Sequence, residues 1–117
     1  MQHTLQVTFH GMPHSDALDA SIREHAGRLE KFHPHIISFR AAVEELARHK
    51  HQGKEFSVRL DIKVPGGEVA VSHDHSEDPF VAVRDAFDAA RRRLEDHVRR
   101  QRGAARRGEA RAKRGKS

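Results

Sequence analysis

Phe56–Val64 (FSVRLDIKV) carries the pattern on which the rest of the chain can be hung. Phe56, Val58, Leu60, Ile62 and Val64 alternate without exception with Ser57, Arg59, Asp61 and Lys63. A period of two over nine residues is the mark of a β-strand with one buried face. Pro65-Gly66-Gly67 then forms a tight turn, and Glu68–His73 returns as a partner strand. Upstream, Ile37, Phe39, Ala41 and Val43 oppose Ser38, Arg40, Ala42 and Glu44, which predicts another strand. The polar stretch Arg48–Lys54, with Gly53 as its turn residue, joins it to the first. These three strands make an antiparallel meander.

Further towards the N-terminus, Leu5, Val7 and Phe9 alternate with Thr4, Gln6 and Thr8, predicting a strand over 4–10. Ser15 or Asp16 is placed to cap a helix with the apolar stripe Leu18, Ile22, His25/Ala26 and Leu29, ending near Phe32 before Pro34. On the C-terminal side, Asp78-Pro79 reads as an N-cap followed by proline at the first helical position. Phe80, Val83, Phe87, Ala90, Leu94 and His97/Val98 then form one stripe of a helix reaching Gln101 or Arg102. The expected fold is α+β in the order β-α-β-β-β-α. Its four-stranded sheet packs both helices on one face and leaves the other face wet, similar to a double-stranded-RNA-binding domain.

The 117 residues suit one domain, and with 36% hydrophobic residues, six Phe and no Trp or Tyr its core must be small. A deep ligand cavity is not expected. The absence of cysteine excludes disulfides, thiolate metal sites and cysteine nucleophiles. No apolar run approaches membrane-spanning length, and Met1–Phe9 lacks the pattern of a signal peptide, so the cytoplasm is the expected compartment.

The net charge of +5 hides two regions of opposite sign. Residues 1–90 hold 10 Lys and Arg against 14 Asp and Glu, whereas residues 91–117 hold 12 against 3. Gly103–Ser117 (GAARRGEARAKRGKS) has no large apolar side chain and is expected to be a disordered basic tail behind a domain covering 1–102. Such a concentration of positive charge fits a polyanion, because each cation that neutralises a phosphate releases condensed counterions.

Enzyme signatures are missing: there is no phosphate-binding G-x-x-x-x-G-K, no G-x-S-x-G, no H-E-x-x-H and no G-x-G-x-x-G. Glu44-Glu45 are neighbours on a strand and point to opposite faces, and Asp78 is accounted for as a cap. No catalytic residue, cofactor or small-molecule substrate is therefore expected. Eleven histidines include the pairs His33/His35, His49/His51 and His73/His75. Each pair could offer two imidazoles to zinc or nickel, but coordination needs further ligands, and exposed histidines that gain charge as pH falls account for them more simply.

Nucleic-acid modules are separated by what is lacking. The central strands carry no outward aromatic for base stacking, since Phe56 lies on the apolar parity, and there is no G-x-x-G loop. Phosphate and shape recognition by helix-borne cations remains. The candidates are Arg84, Arg91, Arg92, Arg99, Arg100 and Arg102 on helix two, with Lys31 and Arg23 on helix one. The α-β-β-β-α order behind the first strand also allows a general double-stranded RNA binder or RNA chaperone.

Several segments, in this order and spacing, resemble the ribosome hibernation promoting factor family, also called ribosome-associated inhibitors or ribosomal subunit interface proteins. They are Ser15-Asp16-Ala17-Leu18, Leu29-Glu30-Lys31-Phe32 with Ile36, Val64-Pro65-Gly66-Gly67, Glu77-Asp78 before Phe80-Val81-Ala82-Val83, and Asp85-Ala86-Phe87-Asp88-Ala89-Ala90-Arg91-Arg92-Arg93-Leu94. The resemblance covers about residues 5 to 101. It implies a non-enzymatic factor that binds the small ribosomal subunit and its RNA, in the channel used by messenger and transfer RNA, and silences ribosomes under stress. The family's phosphate contacts carry over to Arg84, Arg91 and Arg92, and to Lys31. Helix one is less basic than in many relatives, and Asp85, Asp88 and Asp96 interrupt helix two. Long members pair ribosomes through an additional C-terminal domain, and the expectation here is a short form in which the Arg-rich tail stands in its place.

Overall fold

The strict alternation of Phe56–Val64 is realised as a strand with Val58, Leu60 and Ile62 at 1% exposure or less and Arg59 and Lys63 in solvent. A computed structural model describes residues 4–47 and 53–114. The element order is β1 (Thr4–His10), α1 (Asp16–Phe32), β2 (Ser38–Ala47), β3 (Lys54–Val64), β4 (Gly67–Ser76) and α2 (Pro79–Arg114). The strands form one open sheet in the order β1-β2-β3-β4. β1 runs parallel to β2 and the other two pairings are antiparallel. A parallel neighbour needs a crossover, and α1 is that crossover.

Both helices bury their stripes against one sheet face. Leu18, Ile22, Ala26 and Leu29 of α1 and Val83, Phe87, Ala90 and Leu94 of α2 join Phe39, Ala41, Val43, Val58, Leu60 and Ile62 in a single core. α2 lies over β3 and β4, α1 reaches β1, and the helices touch each other. The opposite face carries Gln6, Arg40, Asp61 and Ala70 in one cross-strand row and Thr8, Ala42, Arg59 and Ser72 in the next. Its charges are mixed, and Arg59 bonds to Asp61 at 3.2 Å.

The helix starts follow the expected chemistry. The Ser15 hydroxyl accepts from the Leu18 amide at 3.2 Å, and Asp78 Oδ1 accepts from the Phe80 amide at 2.9 Å. At the β3–β4 turn Pro65 precedes Gly66, whose φ of 82° is the left-handed conformation that the third residue of a type II turn requires. A side chain there would also collide with α2, since a Cβ on Gly66 would sit 2.5 Å from Gln101 Nε2.

Four expectations need correction. Ile37 is 47% exposed and Ile36 takes the inward place at 1%, because β2 begins only at Ser38 and the chain is still turning out of His33–His35. Phe80 lies outside the core at 46% exposure, and the small Ala82 and Ala86 fill the inward positions at the start of α2. β4 continues to Ser76 through a bulge, where two residues, Asp74 and His75, sit opposite Ser57 alone, and His75 has a φ of 63°. α2 does not end at Gln101 or Arg102 but continues as helix to Arg114. Ala, Arg, Lys and Glu fill most of that stretch and favour a helix strongly enough to carry Gly103 and Gly108, at a cost of about 1 kcal/mol each.

Candidate nucleic-acid interface

The α2 residues that bury Val83, Phe87, Ala90 and Leu94 leave the remaining circumference of the helix for charge, and spacing decides which arginines meet. Residues seven or eleven apart on a helix return to nearly the same side. Arg84, Arg91 and Arg102 therefore form one row, and Arg92, Arg99 and Arg106 form the next; all six are exposed. Across thirty-six residues the helix is about 54 Å long, at 1.5 Å per residue. The rows run along one rod held to the sheet as far as Gln101.

Acidic side chains thin out along this rod. Arg84 meets Asp85 at 3.2 Å, Arg91 meets Glu95 at 3.9 Å and Arg99 meets Asp96 at 3.4 Å. Exposed pairs of this kind hold their partners loosely, at a worth of roughly 0–1 kcal/mol, so the arginines remain available to a stronger anion. Arg92 and Arg102 make no ion pair among the described residues. Between His97 and Gly108 the sequence has Arg99, Arg100, Arg102, Arg106 and Arg107 and no acid.

The other candidates do not join these rows. Arg100 lies on the opposite flank of α2, the side on which Arg93 donates to the Ala70 carbonyl of β4 at 3.1 Å. Arg100 itself donates to the Asp96 carbonyl at 3.5 Å. Arg23 is ion-paired with Asp19 one turn earlier and occupies the flank of α1 away from α2. The flank towards α2 is fixed by His25, whose ring stacks on Phe87 with centroids 5.3 Å apart. Burial in that contact, together with Arg28, lowers the His25 pKa from its usual 6.5, against the opposing pull of Glu24 and Asp88. Lys31 is exposed in the last turn of α1 and unpaired among the described residues.

One surface feature was not legible from periodicity. Phe32, seven residues after His25 and so on the same flank of α1, is 76% exposed. It opens a cleft of about 730 Å³ whose floor includes Ile36, Val64 and Leu94. Arg99 and Arg102 stand on its α2 side and His33 and His35 on its α1 side. The cleft is wide and open, in keeping with a core too small to enclose a ligand. The signal that could have exposed it is that Phe32 falls off the Leu18–Leu29 stripe and sits just before a Pro-containing turn.

The histidine pairs part ways. His73 faces Asp85 at 3.5 Å, while the bulge turns His75 towards Glu55 at 3.0 Å. His49 and His51 lie outside the described residues, and among the described residues no three His, Asp or Glu side chains are grouped for a metal. No described helix is long and apolar enough to cross a membrane.

The fold has counterparts among solved structures. A ribosomal subunit interface protein from Coxiella burnetii superimposes with a TM-score of 0.70 at 17% identity, over 81% of this chain and 97% of that one. The N-terminal domain of Protein Y from Thermus thermophilus superimposes with a TM-score of 0.57 at 20% identity, over 83% and 97%. These likenesses establish the fold. No curated protein sequence matches significantly. A model of the Sigma 54 modulation protein / S30EA ribosomal protein family matches residues 5–102, almost the whole of the sheet and both helices up to Arg102. The chain thus belongs to the Sigma 54 modulation protein / S30EA ribosomal protein family, the non-enzymatic, ribosome-associated hibernation-factor family that its segments resemble.

Proposed function

We propose that this protein binds the small ribosomal subunit through its ribosomal RNA, in the channel that messenger and transfer RNA use, and so inhibits translation and holds ribosomes inactive under stress. It acts in the cytoplasm as a stoichiometric factor. The observation that carries this reading is the pair of arginine rows on α2, Arg84/Arg91/Arg102 and Arg92/Arg99/Arg106, displayed along one continuous thirty-six-residue helix. Phosphates spaced along an RNA groove are the natural complement of such rows. Affinity then comes from counterion release, and inhibition from the volume the domain occupies. Lys31 extends the cationic surface onto α1, whereas Arg23 and Arg100 contribute only to the general positive potential. Family membership and the subunit-interface neighbours support a ribosomal partner over free duplex RNA.

The test is titration of the protein into a reconstituted translation reaction with a known concentration of ribosomes. Inhibition should reach its plateau near one protein per ribosome and be relieved by excess tRNA. Inhibition that grows without a plateau and is relieved equally by any RNA duplex would identify a general double-stranded RNA binder instead.

A further inference from the structure

The cleft beside Phe32 lies where the arginine rows, through Arg99 and Arg102, come closest to the end of α1. The geometry points to this cleft as a site for one unstacked nucleobase of a single-stranded RNA segment, stacked on Phe32 with its flanking phosphates on Arg99 and Arg102. This deepens the functional reading and rests on it.

Four observations converge. First, Phe32 is 76% exposed, the largest exposure of any large apolar side chain described. An isolated exposed Phe needs no account, but this one is continuous with Pro34, Ile36, Val64, Pro65 and Val98 in one trough. Secondly, the trough has a volume of about 730 Å³, within the range of roughly 300–1,000 Å³ that holds small-molecule-sized groups. Thirdly, the rim is cationic: Arg99 and Arg102 outnumber Glu95, which is itself engaged by Arg91. Fourthly, His33 and His35 add ring N–H groups on the opposite rim, suited to base edges or phosphate oxygens.

An apolar face for the base beside cations for the backbone is the combination by which single strands are held without sequence preference. A peptide would be served less well, because no sheet edge opens onto the cleft to pair with its main chain: β1 and β4 are the edges, and the walls here come from the middle of α2, the end of α1 with the turn that follows it, and the end of β3. The sheet face lacks outward aromatics, and the other exposed phenylalanine, Phe80, stands at the start of α2 near Arg84 and outside the cleft, so Phe32 is the described phenyl ring that adjoins both the cleft and the Arg99 and Arg102 guanidinium groups.

The chain has no Trp or Tyr, so Phe32→Trp introduces a sole indole reporter at the site. Titration of that variant with a twelve-nucleotide oligo(A) should quench the indole saturably, whereas a twelve-base-pair RNA duplex should bind with little quenching. Phe32→Ala should weaken oligo(A) binding roughly 5- to 100-fold, from the usual worth of a base–aromatic stack, and leave duplex binding unchanged. Because Phe32 is exposed, both variants should keep the wild-type circular dichroism. The inference is overturned if Phe32→Ala binds oligo(A) as the wild type does, or if saturating oligo(A) leaves the indole unquenched while an acidic amphipathic peptide quenches it. Small-subunit co-sedimentation separates this from the parent reading. Wild-type subunit binding with no effect at Phe32 removes the cleft alone, and absence of wild-type subunit binding removes the functional reading whatever the fluorescence shows.

Discussion

The side-chain amide of Gln101 donates to the carbonyl oxygen of Pro65 at 2.9 Å, tying the second half of α2 to the β3–β4 turn across thirty-six residues. His97, one turn earlier, approaches the same carbonyl at 3.4 Å. This is the last described attachment of α2 to the sheet, and it sets the direction of the rod that carries Arg99, Arg102 and Arg106. Gln101→Ala should cost roughly 0.5–1 kcal/mol, the net worth of a partly solvated hydrogen bond, as a lowered urea midpoint. Gly66→Ala should cost more. It places a Cβ 2.5 Å from Gln101 Nε2 and forces alanine into a φ of 82°. Amide exchange should show faster opening of residues beyond His97 in both variants. Unchanged protection there would mean that the turn does not anchor the helix.

The His25–Phe87 stack makes a pH-dependent contribution. Its folded pKa lies below 6.5, so the folded state holds the proton less well than the unfolded chain. The sign follows: as pH falls through 6.5 the unfolded state protonates first and stability drops, until the pH is below the folded value. Above about 7 the contribution is complete. Comparing urea midpoints of wild type and His25→Gln from pH 8 to pH 5 should show the steeper loss in the wild type. Arg28, Glu24 and Asp88 remain in both proteins, so parallel curves would place the pH sensitivity in other histidines.

If phosphate neutralisation supplies the affinity, salt reports the number of contacts. Changing Arg91, Arg92, Arg99 and Arg102 to Ala should reduce the slope of log affinity against log salt for a small-subunit complex by roughly three to four. Arg23→Ala should leave the slope unchanged, because Arg23 is held by Asp19 on the far flank of α1. A reduced slope in the Arg23 variant would extend the interface across α1.

Much of this molecule could be read before its structure. The alternation in Phe56–Val64 and in Leu5–Phe9, the caps at Ser15 and Asp78 and the Pro65-Gly66-Gly67 turn are local signals, and local chemistry decides them. What escaped depends on tertiary geometry. Ile36 and Ile37 are chemically equivalent, and only the angle at which the chain leaves α1 determines which is buried. Phe80 has helical spacing but is half exposed, because Ala82 and Ala86 take the inward positions at the start of α2. α2 runs past Gly103 because the alanines and arginines beyond it favour a helix even without large apolar residues to anchor one. In the candidate interface the residue types and their helical spacing are legible, but which flank each row occupies relative to the sheet and α1 is not. Only the orientation of α2, fixed by Leu94 in the core and Arg93 at Ala70, separates Arg102 from Arg100.

The central claim is that α2 docks on the small subunit through one arginine flank, and co-sedimentation with purified subunits tests it most directly. Wild-type protein should bind the small subunit saturably at one to one, lose that binding to excess tRNA, and show no saturable binding to the large subunit. The variant with Arg91, Arg92, Arg99 and Arg102 changed to Glu should keep its fold and fail to pellet with the small subunit, while Arg23→Glu pellets as the wild type does. Retained small-subunit binding by the fourfold variant, or equal and unsaturable binding of the wild type to both subunits, would contradict the account.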